Sequence, residues 1–457
     1  MIVLRSRIAP LFKGLIAATA LCAVLTQPVR AQSILRDAET ETLFDQMSAP
    51  MIRAAHLDPK NVKVVMINDH SINAFVAGGQ VVYIHSGLIE AADNANEVQG
   101  VIAHELGHIA GGHVINPDGI KQATGITLLS LIVGAAAIAA GAGDLGAGVL
   151  AAGQQAAMGK YLAFTRVQEA SADEAGSGYL IASGISGKGM LSFFRKLQGV
   201  EFRLAIPHDD GYGQTHPLTS DRIAILTDKV KAAPSYGAKT DPALEASFQR
   251  VKAKLKGFVA DAPVTLRDFP ESNRSIPARY ARAYAWHKSA YPEKALAEVD
   301  SLLTSIPGDP YFLELKGQIL LESGRPIEAL PVLRAAVSKT NNQPLIASLF
   351  GHALIATEDG ANYAEAEKVL KASINKDNEN PFAWYQLGVI YDHKGDAARA
   401  AMASAERYHL EGQPRLALAN ADLAVRNLPT GTPDWIRAQD IAMVSRTAVD
   451  QEKHHKR

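Results

Sequence analysis

Residues 101–110 read Val101-Ile102-Ala103-His104-Glu105-Leu106-Gly107-His108-Ile109-Ala110, a pair of histidines four apart inside an apolar run. The run predicts a helix from about Asn94 to Gly111. At about 100° per residue, positions four apart differ by about 40°, so both imidazoles project from one helix face at a separation that a single metal ion can bridge. Glu105 lies beside that face, within reach of a water held there. Zinc suits such a pair: it accepts imidazole nitrogen, has no redox demand, and lowers the pKa of its water to about 7, which prepares an attack on a peptide carbonyl. One zinc per chain is expected.

A catalytic zinc usually takes three protein ligands and keeps one position open, so a third ligand has to be found. His113 is near in sequence, but it stands about 180° around a continuing helix from His104 and would need a turn at Gly111-Gly112 to return. Glu169, in Arg166-Val-Gln-Glu169-Ala-Ser-Ala-Asp173, is the better candidate, because Ala170, Ala172, Ala175 and Gly176 permit close approach to another helix. Asp173, one turn further, shares the face of Glu169 and could hold the distal N–H of a ligating histidine. A solvated acidic face is the alternative for this pair.

Outward from this centre, residues 33–56 show helical spacing, with Leu35, Leu43, Met47 and Met51 on one side. Residues 62–67 are strand-like, and 73–85 form a hairpin signature around Gly78-Gly79. The stretch 126–152 is almost wholly Ala, Gly, Leu, Ile and Val, with Asp144 its one charge. It reads as helices that touch a membrane or a substrate, or as a buried helix pair. Residues 160–200 are helical again. A connector over 233–276, with an amphipathic helix at about 243–257, closes the first domain.

From Pro277 the sequence repeats. Gly317, Gly351 and Gly388 are spaced by 34 and 37 residues, and Pro277, Pro310, Pro344 and Pro381 open successive units. Leu320 and Tyr391 recur three after the glycine, and Ala329 and Ala400 twelve after it. The pattern resembles the tetratricopeptide repeat, with a generic helical bundle as the alternative. Stacked helix pairs of this kind curve and offer a groove to peptides or partner proteins.

The 457 residues are 47% hydrophobic and 20% charged, ordinary for a globular chain of two or three domains. Formal net charge is -1, so no basic field exists to hold phosphate backbones, and nucleic acid is excluded as the main partner. Arg5, Arg7 and Lys13, the apolar stretch Leu15 to Leu25, and Val29-Arg30-Ala31 read as a cleavable export signal over residues 1–31. Its apolar run of about 11 residues is too short for a span, and Leu21 is too large for a lipid-attachment site before Cys22. Cleavage removes four of the 46 Lys and Arg and none of the 47 acids, leaving a net charge of -5. It also removes Cys22, the single cysteine, so any metal must be held by His, Asp and Glu.

The His-Glu-x-x-His helix, the Arg-x-x-Glu-x-x-Ala-Asp motif some sixty residues later, and Thr215-His216-Pro217 with Arg222 together resemble the zinc peptidase family of the prenyl-protein protease and the heat-shock membrane protease HtpX. With an export signal and carboxy-terminal repeats, the chain is most similar to the periplasmic branch of that family. The resemblance implies an α+β zincin-type metalloprotease domain over 32–232, then the connector, an all-α tetratricopeptide repeat superhelix over 277–447 and a charged tail over 448–457. It implies zinc on His104, His108 and Glu169, Glu105 as general base, and Asp173 as the residue that orients a ligand. Val81 to His85 resembles the family's edge strand, along which substrate would lie extended. His216 is implied as a mobile residue, either filling the open metal position in a latent form or, with Arg222, stabilising the oxyanion; a loop capping role before Pro217 is the alternative. Substrates would be unfolded or stalled polypeptides. The partners implied are outer-membrane β-barrels and their assembly machinery. A chaperone or adaptor with a latent metal site is the second functional expectation, and a metal-stabilised binding module leaves Glu105 without a task.

Overall fold

A computed structural model describes residues 34–113, 165–203, 216 and 220–455. The expected export signal over 1–31 and the apolar stretch 126–152 lie outside the described residues. Among the described residues no helix is long and apolar enough to cross a membrane.

The first part is a small sheet with helices packed on it. Strands β1 (Ile34–Leu35), β2 (Lys63–Ile67), β3 (Ala74–Ala77) and β4 (Val81–His85) are ordered β1-β2-β4-β3. β4 runs parallel to β2, with Val64 opposite Val82 and Ile67 opposite His85. The Gly78-Gly79 turn, with φ of 60° and 97°, folds β3 back antiparallel on the outer side of β4. Val81 to His85 is therefore an inner strand. The edge belongs to Ala74–Ala77, which corrects the expectation, because the crossover from β2 delivers the chain to the far side before the hairpin closes. The first helix, α1 (Ala38–Ala54), starts later than its spacing suggests, since Leu35 pairs with Met66 in the sheet.

Helices α2 (Ser86–Ala91) and α3 (Ala95–Ala110) follow β4. The Asn94 side chain caps α3 by accepting from the Glu97 N–H at 3.1 Å, and Glu97 reaches back to the Asp93 N–H at 2.8 Å. Val98, Val101, Ile102 and Leu106 bury one side of α3 against Met47, Met51, Val82 and Ile84. Each such side chain contributes about 1.5–3 kcal/mol of burial. The stretch expected as one helical region is two helices, α4 (residues 165–182) and α5 (Lys188–Arg203), separated at Ser183 to Gly187. Helix α6 (Ser220–Ala232) completes this side of the core with Ile223, Leu226 and Val230.

Residues 233–276 contain α7 (Pro242–Val259) and α8 (Ala262–Asp268). Phe248, Val251 and Leu255 of α7 belong to the core of the sheet domain. Paired helices then run to the end: α9 (Ile276–Lys288) with α10 (Pro292–Ser305), α11 (Pro310–Glu322) with α12 (Pro326–Lys339), α13 (Pro344–Ile355) with α14 (Tyr363–Lys376), α15 (Pro381–His393) with α16 (Ala397–Leu410), and α17 (Pro414–Asn427) with α18 (Pro433–His455). Proline stands in the first turn of the leading helix of each pair, where its missing N–H costs nothing. Gly317 lies against Leu333 and Gly351 against Leu370, close contacts within the second and third pairs. Residues 448–455 extend α18.

The start of α1 is inserted between the two parts. Ala38 belongs to the repeat core, whereas Phe44 and Met47 belong to the core of the sheet domain. Glu39 is buried and takes Arg250 Nε, Lys254 Nζ at 3.3 Å and the Tyr280 hydroxyl at 2.9 Å. Lys254 also meets Asp37 at 2.5 Å, and Arg250 reaches Asp309 at 2.7 Å. Burial works against the Lys254 ammonium, but Asp37 beside it carries its pKa well above the ordinary lysine range. Burial, then the Glu39 carboxylate, holds Tyr280 firmly protonated and donating. Outside this knot, Arg36 meets Asp377 at 2.8 Å and Lys63 meets Glu379 at 2.6 Å.

Candidate metal centre

Two helices bring the site together by crossing at almost no distance. A Cβ added to Gly107 would lie 2.5 Å from the Ala172 carbonyl oxygen, and one on Gly176 would lie 2.6 Å from that of Ala103. Only glycine at both crossings lets α4 lie on α3 closely enough for Glu169 to meet the two histidines.

His104 Nε2 stands 3.1 Å from His108 Nε2 and 3.3 Å from Glu169 Oε2. His108 Nε2 is 3.3 Å from Glu169 Oε1. His216 joins them, its Nδ1 3.0 Å from Glu169 Oε1 and 3.3 Å from His104 Nε2. All four residues are buried, with one ligand atom of each within 4.8 Å of every other. Ligand bonds of about 2.0–2.1 Å to a tetrahedral ion set ligand atoms about 3.3–3.4 Å apart, near the 3.1 Å between the His104 and His108 nitrogens and the 3.3 Å from each to a Glu169 oxygen.

The electrostatics call for a cation as well. Asp173 Oδ1 lies 2.9 Å from His104 Nδ1, which fixes the proton there and turns the Nε2 lone pair toward the other ligand atoms. Without a positive charge among them, either a second proton on His104 or a bound cation, lone pairs and carboxylate oxygens would face one another at contact. Burial lowers the pKa of His104, yet Asp173 and Glu169 outweigh it and push the imidazole up to about 10. Burial would raise Glu169, but the three histidines hold its carboxylate far below the ordinary range. The surroundings of these side chains are built to face positive charge.

A second layer holds the first. Arg222 donates from Nε to Asp173 Oδ2 at 2.7 Å and from Nη2 to Oδ1 at 3.0 Å, and Nη2 lies 3.1 Å from Glu169 Oε2. Its guanidinium is thus committed to the two carboxylates. His113 places Nδ1 2.9 Å from His108 Nδ1, and its ring does not join the cluster. Glu105 is fully buried, and among the described residues neither of its carboxylate oxygens has a hydrogen-bond partner. His216 Nε2 lies 3.6 Å from Glu105 Oε1. That same Nε2 stands 3.2 Å from the Ala74 carbonyl oxygen on the edge strand. The edge-strand carbonyl and the ring of Phe194, set edge-on to His104 at 5.6 Å, are parts of the site that sequence spacing did not disclose, since neither residue type marks a metal site.

Residues 37–230 match Peptidase family M48. This stretch is an M48 peptidase domain. The sheet and helices of this domain carry all of the residues described above. Beyond it, the chain is similar to the beta-barrel assembly-enhancing protease of Yersinia pestis, at 26% identity over 355 residues, 76% of this chain and 71% of that one. The metalloprotease LoiP of Escherichia coli is 34% identical over 178 residues, covering 38% of this chain and 64% of LoiP. The chain spans 59% of the length of a Vibrio cholerae relative, at 25% identity over 289 residues.

Proposed function

We propose that this protein is an exported zinc endopeptidase of the bacterial envelope, hydrolysing misfolded or stalled polypeptides, outer-membrane proteins among them. The observation that carries the reading is the convergence of His104, His108 and Glu169 at tetrahedral spacing beside the buried, unbonded carboxylate of Glu105. His104, His108 and Glu169 hold the zinc. When bound, zinc supplies a Lewis acid that polarises the scissile carbonyl and acidifies water. Glu105 takes the proton from the attacking water and returns it to the leaving amine. Its carboxylate has no hydrogen bond to break before it acts. Asp173 keeps the His104 proton on Nδ1, Arg222 fixes Asp173 and Glu169, and His113 steadies His108.

His216 is a latch in this reading. Nδ1 occupies the fourth position, and Nε2–H donates to Ala74 on the strand against which an extended substrate would add. Withdrawal of one side chain frees a metal position and an edge carbonyl together. That contact also favours a second reading, a periplasmic chaperone or adaptor whose repeats hold clients, and the assembly machinery of outer-membrane β-barrels, while the metal site stays latent.

The test is metal content of the purified protein beside Glu169→Gln, with casein hydrolysis followed in the same samples. About one zinc per chain, lost with activity in the variant, is the expected result. Zinc retained at wild-type affinity by Glu169→Gln would return the third position to His216 or His113.

A further inference from the structure

Side chains alternate between the two faces of the edge strand β3. Ala74 belongs to the core of the sheet domain and Val76 packs against it, so Phe75 stands on the opposite face of the sheet. Tyr83 of β4 is opposite Phe75 in the register and Val65 of β2 is opposite Tyr83, which gives a half-buried apolar row across that face. The Phe75 ring is held in place. It stacks on Tyr83 with ring centres 5.2 Å apart and planes 20° from parallel, and it meets His85 edge-on at 5.9 Å. His85 is itself buried and fixed by the Ser71 hydroxyl, 2.8 Å from its Nδ1. An aromatic surface already oriented costs less to bind than one that must be ordered on contact.

The hydrogen bonds of β3 set where a substrate strand would lie. The His85 N–H donates to the Asn73 carbonyl at 3.0 Å, and in an antiparallel ladder bonded pairs alternate along the strand. Phe75 therefore bonds inward to Tyr83, while Ala74 and Val76 turn N–H and C=O out of the sheet. The Ala74 carbonyl has that phase, since it takes His216 Nε2 at 3.2 Å. A strand bonded to Ala74 and Val76 sets the side chain between those two bonds beside Phe75, on the face away from the core. One imidazole spans from the Ala74 carbonyl to Glu169, so that side chain belongs to a residue within about two positions of the scissile bond.

We propose that Phe75, braced by Tyr83 and His85, is a specificity-determining residue that selects a bulky apolar side chain, aromatic above all, on the outer face of the bound strand. The inference rests on the endopeptidase reading above. An aromatic pair across the edge buries both rings, whereas a small side chain leaves Phe75 half exposed and a carboxylate loses water against an apolar surface.

The cuts that the wild-type protein makes in casein, mapped by mass spectrometry, test this. Bulky apolar residues should be enriched at one position within two of the cut, and Phe75→Ala should flatten that enrichment while Phe75→Tyr keeps it. For a peptide copied from a preferred site, Phe75→Ala should raise KM about tenfold with little change in kcat. Binding without cleavage is read by fluorescence anisotropy in a protein carrying Glu105→Gln and His216→Ala, which frees the Ala74 carbonyl. The same peptide should bind about tenfold more tightly than its counterpart with Ser at the enriched position, and adding Phe75→Ala should erase the difference. An enrichment that survives Phe75→Ala, no enrichment in the wild type, or equal binding of the two peptides would each overturn the proposal. Hydrolysis with unchanged preference removes this subsite alone, and absence of hydrolysis removes the endopeptidase.

Discussion

Two buried clusters of charge, one at the metal centre and one at the start of α1, are made of similar residues and are finished differently. Glu39 receives three donors, and each neighbouring charge has its own opposite: Lys254 with Asp37, Arg250 with Asp309. At the metal centre, Glu105 is equally buried and receives none. A buried carboxyl group without a hydrogen bond costs free energy, so a folded chain that leaves one gives up stability at that point. The completed cluster fastens two domains, and the incomplete one leaves room for chemistry.

The sharpest way to break this contrast is Glu105→Gln. Hydrolysis should fall by about 10²–10⁴-fold with zinc retained, and the urea unfolding midpoint should not fall, because the substitution breaks no hydrogen bond of the Glu105 carboxyl among the described residues. Loss of stability, with hydrolysis untouched, would put Glu105 in the structural class. Glu39→Ala is the converse. It strands three donors in the domain junction and should cost about 2–3 kcal/mol, read from the same urea midpoint; an unchanged midpoint would show that the junction is ornamental.

The smallest effect is a pH dependence beside the junction. Glu314, half-buried on α11, has its pKa pushed up to about 8 by burial and by the acids Asp37, Glu39 and Glu41, with Lys254 opposing. A carboxyl raised from an ordinary 4.5 is favoured protonated in the folded state, so its contribution is complete below pH 4.5, declines as pH rises, and is gone above about 8. Between pH 5 and 8.5 wild type should lose stability that Glu314→Gln retains, read from the urea midpoint at each pH. Parallel pH profiles for the two proteins would show that Glu314 titrates normally.

How much of this was legible in the sequence follows from how far each contact reaches. Helix α3 was legible to the residue, since Asn94, the apolar spacing and Gly111 are all local signals, and the Gly78-Gly79 hairpin was legible for the same reason. The repeat helices announced themselves through prolines and glycines in register. The placement of β4 inside the sheet was not legible, because it depends on which side of β2 the chain crosses to, and no residue of the strand records that choice. Nor was the junction. Glu39 follows Asp37 as any acid in a first helical turn does, and nothing near it points to Arg250 or Tyr280. His216 could be nominated as approaching the metal, but its second bond, to a backbone carbonyl, has no side-chain signature.

The partners of α1 also set an order of events. Its first turn leaves the ribosome early, yet Glu39 waits 211 residues for Arg250 and 241 for Tyr280, and Arg36 waits 341 for Asp377. The helix that begins the peptidase is therefore among the last to be secured. Until the third helix pair has emerged, the acidic start of this segment lacks its last partner, and contacts so distant along the chain make for slow folding. The protease acquires its rigid frame only when the repeat array beside it is long enough to grip, so a truncated product carries the catalytic motif without the clamp that steadies it.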